Sequence, residues 1–284
     1  MKWYKKLLLL CVLSTLTFGA DLELETPSSM PIDTFQMQDN QIGIGYILSS
    51  ATLELEDSYY DDKIGDVEYD TKGLIVTLPA NTNFLFGKIF EFSITGGIID
   101  SKLKDKTFKD SGYTYNNKYD KSGYYIGVRP AFSADIYDSD MFKFQNVTTL
   151  HLMLYHLDGS FAVHRTGAGN NNYAYDETNT GLALKPTVIF NGTFFPIKNL
   201  GISAFGGFST LLDLDYCDYS NKTNSFDSDT EVEFLTSSID PVYGFDIIFR
   251  GIFKDYDALN LSSVFTPKEV DTSIETVVRY IISF

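Results

Sequence analysis

The chain has 284 residues and is acidic, with 38 Asp and Glu against 22 Lys and Arg and a formal charge of −16. A balance this negative argues against nucleic acid or an anionic lipid surface as a charge-driven partner. Only two cysteines occur, and no run of around 18 apolar residues is present, so neither a disulfide framework nor a transmembrane helix is expected.

The first element is a targeting segment. Lys2, Lys5 and Lys6 precede the apolar run 7–13, and small and polar residues lead to Ala20. This order describes a secretory signal peptide over residues 1–20. The apolar run is too short to cross a bilayer as a helix. Cys11 would be discarded with the signal, which leaves Cys217 as a lone thiol near a loop. Loss of the three lysines takes the charge from −16 to −19. Residues 21–40 carry Pro27 and Pro31 with few strand cues, and read as a periplasmic N-terminal segment.

From Gln41 to the end, short segments alternate apolar and polar residues, the period-2 signature of strands. The apolar members come in chain order. Ile42, Ile44, Tyr46 and Leu48 are followed by Leu74, Val76 and Leu78, then by Phe90, Phe92 and Ile94. Tyr124, Ile126, Val128 and Phe132 come next, then Leu150, Leu152 and Leu154. Leu182, Leu184, Val188 and Phe190 precede a weaker set, Ile202, Phe208 and Leu212. Tyr243, Phe245, Ile247 and Phe249, then Leu259 and Leu261, lead to the closing run Val278, Tyr280, Ile282 and Phe284. Ten strands are expected, with eight or twelve as alternatives, and the exit of the second is open between 79–83 and 87–88. A membrane protein without apolar helices must close its strands into a barrel, because lipid satisfies no open backbone group. The spacing supports that fold class, an all-β antiparallel up-and-down transmembrane barrel over 41–284. Long connections near 54–71, 100–123, 158–180, 213–230 and 266–271 alternate with short ones near 137–141, 196–200 and 254–257. This is the loop sorting of barrels inserted from one side.

The last eight residues, Val277 to Phe284, put Val278, Tyr280, Ile282 and Phe284 on one face and end on an aromatic ring. This resembles the closing strand of the outer-membrane β-barrels of Gram-negative bacteria. The resemblance implies export to the outer membrane, recognition of those four residues by the barrel-assembly machinery, and lipid and lipopolysaccharide as surroundings. A monomer with no cofactor is expected.

With the apolar face toward lipid, the other face lines the lumen. It offers Glu91, Arg129, Asp135, Lys185, Asp246, Arg250, Glu275 and Arg279, four acids and four bases. Buried charges persist when paired, so a balanced set predicts a side-chain-filled lumen, with a small passive porin-like channel as the alternative. The first long connection is acidic at Asp57, Asp61, Asp62, Asp66, Glu68 and Asp70, a weak cation-binding loop at most, since the spacing does not match an EF-hand. The second holds Lys102, Lys104, Lys106, Lys109, Lys118 and Lys121, suited to lipopolysaccharide phosphates or the acidic first loop. A third reading, a hydrolase at the rim, would draw on His156, Asp158, Asp213 and Asp215. Tyr124, Tyr125, Phe142, Phe144, Phe194, Phe195 and Tyr243 are expected as interfacial girdle residues. The expected role is at the envelope surface and is non-enzymatic.

Overall fold

Strands dominate because the alternating residues are β-branched or aromatic, and because the ten wall strands pair on both sides at the base of the barrel. The computed structural model describes residues 41–283 except 58–61, 85–86, 105–106, 111–112, 167–171, 222–228, 237–238, 254–256 and 268–271. The signal and N-terminal segments, Asp61, Lys106 and Phe284 lie outside the described residues.

Thirteen strands follow in order: β1 (Gln41–Asp57), β2 (Asp62–Phe84), β3 (Gly87–Leu103), β4 (Thr107–Asp110), β5 (Tyr113–Asp138), β6 (Phe142–Thr166), β7 (Asn172–Ile197), β8 (Leu200–Ser209), β9 (Leu212–Asn221), β10 (Asp229–Thr236), β11 (Asp240–Arg250), β12 (Ala258–Pro267) and β13 (Thr272–Ser283). They make ten wall strands. β4 only doubles back on β5. β8 and β9 are two halves of one strand, pairing successive stretches of β7 in a continuous register. β10 and β11 are likewise halves of the next, with three residues between them set against two on the neighbour. The break falls opposite Pro186, which cannot donate a ladder hydrogen bond and instead accepts one on its carbonyl from the Thr210 N–H at 3.3 Å. The antiparallel pairing of β1 with β13, Gln41 against Ser283, closes the ring. The second strand exits between Phe84 and Gly87, and the segment at 79–82 is a bulge within the β2–β3 ladder.

The long connections are mostly strand rather than loop. β1 and β2 stay paired out to Asp57 against Asp62, and β6 and β7 out to His164 against Asn172. Eight of the ten wall strands therefore rise beyond the apolar belt as a paired wall. The sequence of β2 shows why. From residue 74 onward its outward positions are Leu74, Val76 and Leu78. Before residue 73 they are Glu68, Asp70 and Lys72, while Val67 turns inward and is buried. The alternation keeps its period and swaps its polarity where the strand leaves an apolar environment. The outward face turns polar in the same way in β5, β6 and β7, and in β6 the inward face turns apolar with it, at Leu157 and Phe161.

Cross-strand register makes the boundary sharp. One outward row runs Lys72, Ile98, Tyr124, His156, Thr180, Tyr216. The next row up runs Asp70, Asp100, Ser122, Asp158, Thr178, Asp218. Below the first row the outer surface is apolar, with Ile94, Ile126, Leu154, Leu182, Phe208, Phe245 and Val278 all exposed. A belt of this kind on a closed antiparallel barrel is the build of an outer-membrane barrel.

Candidate functional site

The interior is packed at two levels, and both are built from inward positions of alternating strands. Near the middle, Arg129 on β5 donates from Nη2 to Glu91 Oε1 on β3 at 3.2 Å. Arg279 on β13 reaches the same oxygen at 3.6 Å, across the two strands that separate β13 from β3. Ser93 donates to Glu91, and Arg129 donates to Ser93 at 3.3 Å. All three charged groups are at most 1 % exposed. Glu275 and Asp246 are buried beside them, and Asn260 donates to Asp246. Lys185 and His151 are buried and face each other across the β6–β7 ladder; His151 Nε2 lies 3.5 Å from Thr95 Oγ1.

Six of the eight residues expected in the lumen are thus buried inside it. Asp135 and Arg250 are not. Asp135 is exposed near the short-turn end, with Lys143 at 3.1 Å and Gln145 Nε2 donating to it at 2.6 Å. Arg250 closes β11 at the same end and stacks its guanidinium 5.4 Å from the centroid of Phe195. Parity alone puts them inward, but both lie where the wall runs out.

Toward the long-hairpin end lies a second network that the alternation does not announce. Tyr155 donates to Asp213 at 3.0 Å, spanning the intervening β7. Asn179 donates to Asp215 at 2.6 Å and to the Cys217 sulfur at 2.8 Å, and the Cys217 thiol donates to Asp215 at 3.2 Å. Lys121 on β5 pairs with Glu177 on β7 at 2.8 Å, again across a strand. Tyr69 and Tyr119 meet hydroxyl to hydroxyl at 3.1 Å. Cys217 is therefore an interior residue rather than a loop thiol, and Lys121 is an interior cation rather than part of a surface patch.

Apolar side chains fill the space between the networks, so the inner face is not wholly polar. Val147, Ile189, Phe205, Val242 and Val264 pack together from successive wall strands. Ile99, Tyr125, Met153, Tyr155, Leu157 and Ala183 form another cluster. Tyr125 is thus core and not girdle. The large rings fit because glycine faces them on the next strand. A Cβ on Gly181 would lie 2.2 Å from the ring of Tyr155, and one on Gly244 would lie 2.5 Å from that of Phe205. Burying an aromatic over a glycine trades the weak strand preference of Gly for a close ring–backbone contact.

The rim residues do not assemble. His156 and Asp158 are on the outer surface, where His156 contacts Asp158 at 3.3 Å, Thr180 at 2.8 Å and the ring of Tyr124. Asp213 and Asp215 are wholly buried on the inner surface. The wall separates the two pairs, so no water can be held between them. The acidic first connection is a ladder and not a cage. Asp57 pairs with Asp62 at its last rung, Asp66 stands opposite Glu54, Glu68 sits between Thr52 and Lys102, and Asp70 between Ser50 and Asp100. Among the described residues no three His, Cys, Asp or Glu side chains are grouped to hold a metal ion. Lys102, Lys104 and Lys118 are exposed on the outside, with Lys102 on the rung between Glu68 and Asp120. At the opposite end Val278, Tyr280 and Ile282 share the outward face of β13, and the Tyr280 hydroxyl donates to Asp257, which also receives the N–H groups of Ile252 and Phe253.

No protein-family model matches the chain, and no curated protein matches it. Among solved structures it is similar to the translocator domain of the autotransporter NalP from Neisseria meningitidis, at 11 % identity and a TM-score of 0.40 over 87 % of this chain and 90 % of that one. It is also similar to the transport unit of the autotransporter AIDA-I from Escherichia coli, at 11 % identity and 0.37 over 99 % of both chains. The toluene transporter TodX of P. putida is similar at 10 % identity and 0.25, over 87 % and 91 %. The class that the geometry establishes is a closed ten-stranded antiparallel barrel of the outer-membrane type.

Proposed function

We propose that the chain is an exported Gram-negative outer-membrane barrel whose lumen is closed to solutes and whose role is played at the cell surface, by the wall that stands above the lipid. The long-hairpin end is then extracellular, and Gln41 and Ser283 mark the periplasmic end. The observation that carries the reading is the meeting of side chains from non-adjacent strands inside the barrel: Glu91 with Arg279, Tyr155 with Asp213, Lys121 with Glu177. A water-filled pore leaves its inward residues wet; here both charge layers and the apolar clusters between them are buried. The basic start, the short apolar run and the alternation before Phe284 support export and insertion. The separation of the inner acids from His156 by the wall speaks against a hydrolase.

The test is single-channel conductance of the refolded mature chain in a planar bilayer, with heat-modifiable gel migration to establish that it has folded. A folded, silent protein is expected. Steady reproducible steps would replace this reading with that of a small passive channel.

A further inference from the structure

On the outer surface three side chains stand in a line at the edge of the apolar belt. Thr180 on β7 faces His156 on β6 directly across the ladder, and its Oγ1 lies 2.8 Å from His156 Nδ1. The other ring nitrogen, Nε2, lies 3.3 Å from Asp158 Oδ2, two residues further along β6 on the same face. An ionised carboxylate only accepts, so Asp158 favours the tautomer with its proton on Nε2, and Nδ1 is left to accept from the Thr180 hydroxyl. Asp158 is itself held by the Thr178 hydroxyl, which donates to Oδ1 at 2.8 Å, and the Tyr124 ring packs against the imidazole at 5.4 Å between centroids. A hydroxyl bonded to a base that a carboxylate orients is the arrangement that activates a nucleophile. Asp213 and Asp215, walled off inside, take no part in it.

The place of this line on the wall points to its substrate. The row Tyr124, His156, Thr180, Tyr216 is the last before the outer surface turns polar. Just below it Ile126, Leu154, Leu182 and Leu214 are exposed on the lipid face, and just above it stand Asp158, Thr178 and Asp218. The acyl esters of a lipid lie at that level, between the hydrocarbon and the headgroup. Tyr216 stands across from Thr180 in the next ladder, 48 % exposed, and among the described residues its hydroxyl has no hydrogen-bond partner. A donor is thus placed beside the carbon that Thr180 would attack. We propose that Thr180, His156 and Tyr216, oriented by Asp158, form the site of an acyl-ester hydrolase that acts on outer-leaflet lipid.

In the first step Thr180 Oγ1 bonds to the ester carbonyl carbon as its proton passes to His156 Nδ1, and the Tyr216 hydroxyl donates to the oxyanion. Collapse breaks the bond between that carbon and the alcohol oxygen, which leaves with the proton from Nδ1. Water then attacks the acyl-threonine and gives its proton to Nδ1, and that proton returns to Thr180 Oγ1 as the fatty acid departs. One ester and one water become one acid and one alcohol, with no change of oxidation state. Asp158 is a positioning residue, because it touches the ring and not the lipid. The assignment to the outer leaflet rests on the reading above that the long-hairpin end is extracellular; the chemistry itself does not, and its test is independent of conductance.

The experiment incubates the refolded mature chain in mixed micelles with ester-linked phosphatidylethanolamine, its ether-linked analogue, and lipid A, and measures released fatty acid by mass spectrometry. Release is expected from an ester-linked lipid and not from the ether analogue. Release from only one of the two ester lipids supports the proposal and identifies which lipid supplies the acyl group. Thr180→Val and His156→Ala should each lower the rate at least about a hundredfold, and Tyr216→Phe by a similar factor. Thr180→Ser should keep the activity, and Asp158→Asn should lower kcat with KM unchanged. All five positions are changed on the outer surface, and heat-modifiable migration establishes that each variant has folded. Turnover that survives Thr180→Val would overturn the proposal, as would release from the ether analogue. A folded wild type that releases no fatty acid from either ester lipid would also overturn it, while leaving the closed-barrel reading in place.

Discussion

Replacing Glu91 by alanine is the most direct probe of the interior. The substitution removes a carboxylate that touches both Arg129 and Arg279, each 1 % exposed. Breaking a buried ion pair by deleting one partner costs about 3–5 kcal/mol, because the surviving charge stays desolvated. Two guanidiniums lose their shared partner here, which pushes toward the upper figure. Glu275 is also buried and acts electrostatically on Arg129, which pulls toward the lower. The expected loss is therefore about 3 kcal/mol, and about half that for Glu91→Gln, which keeps a hydrogen-bond acceptor. Glu91→Ala with Glu275→Ala should lose more than the two single changes added together, since each acid covers for the other. The assay is urea unfolding of the chain folded in lipid vesicles, followed by tryptic protection and gel migration. A loss under about 1 kcal/mol for Glu91→Ala, or strict additivity of the pair, would refute the shared-charge account.

Three further outcomes follow from the packing. Gly181→Val puts a side chain into the Tyr155 ring and should destabilise by about 1–3 kcal/mol or prevent folding, with partial rescue by Tyr155→Ala, measured by the same unfolding assay. Ile126→Arg on the lipid face should cost about 2–4 kcal/mol, whereas Asp100→Asn, in the polar row above the apolar belt, should be within about 0.5 kcal/mol of wild type. Cys217, hydrogen-bonded and 1 % exposed, should resist maleimide in the folded barrel and react fully once unfolded; rapid labelling of the folded form, seen as a mass shift, would place it outside the packed interior.

The strand count is legible because ten runs show their apolar face to lipid, and a run such as Ile42, Ile44, Tyr46, Leu48 fits a period of two and not a helical spacing. The interior is harder to read. Ile47 and Val277 point inward between outward-facing Leu48 and Val278, so both faces of these strands carry aliphatic residues and period 2 stops discriminating. Arg129, Lys185 and Glu91 stand out because ionisable residues are rare in such runs, but the partner of Glu91 on β13 lies three strands away and cannot be ranked by sequence distance. The wall reads as loop because Asp, Asn, Lys and Gly are poor strand formers. Pairing overrides propensity there: Glu68, Asp70 and Lys72 are held extended by neighbours on both sides while Val67 packs inward. The inverted alternation in that stretch is present in the sequence and is the signal that reveals it. The Asp213–Asp215 network has no such signal, since Tyr155, Asn179 and Cys217 are spread over three separate strands.

One contact also has a meaning in time. Arg279 stands on the tenth wall strand, yet it reaches Glu91 on the third. Until β13 arrives, the acid at the centre of the barrel has only one of its two guanidiniums, and the seam beside β1 is open. Pairing β13 with β1 thus seals the ring and brings the second guanidinium to Glu91 together. An intermediate without β13 would hold a wet, charged cleft facing lipid, which opposes release into the bilayer. The same ion pair that stabilises the finished barrel therefore acts as a check that the seam has closed.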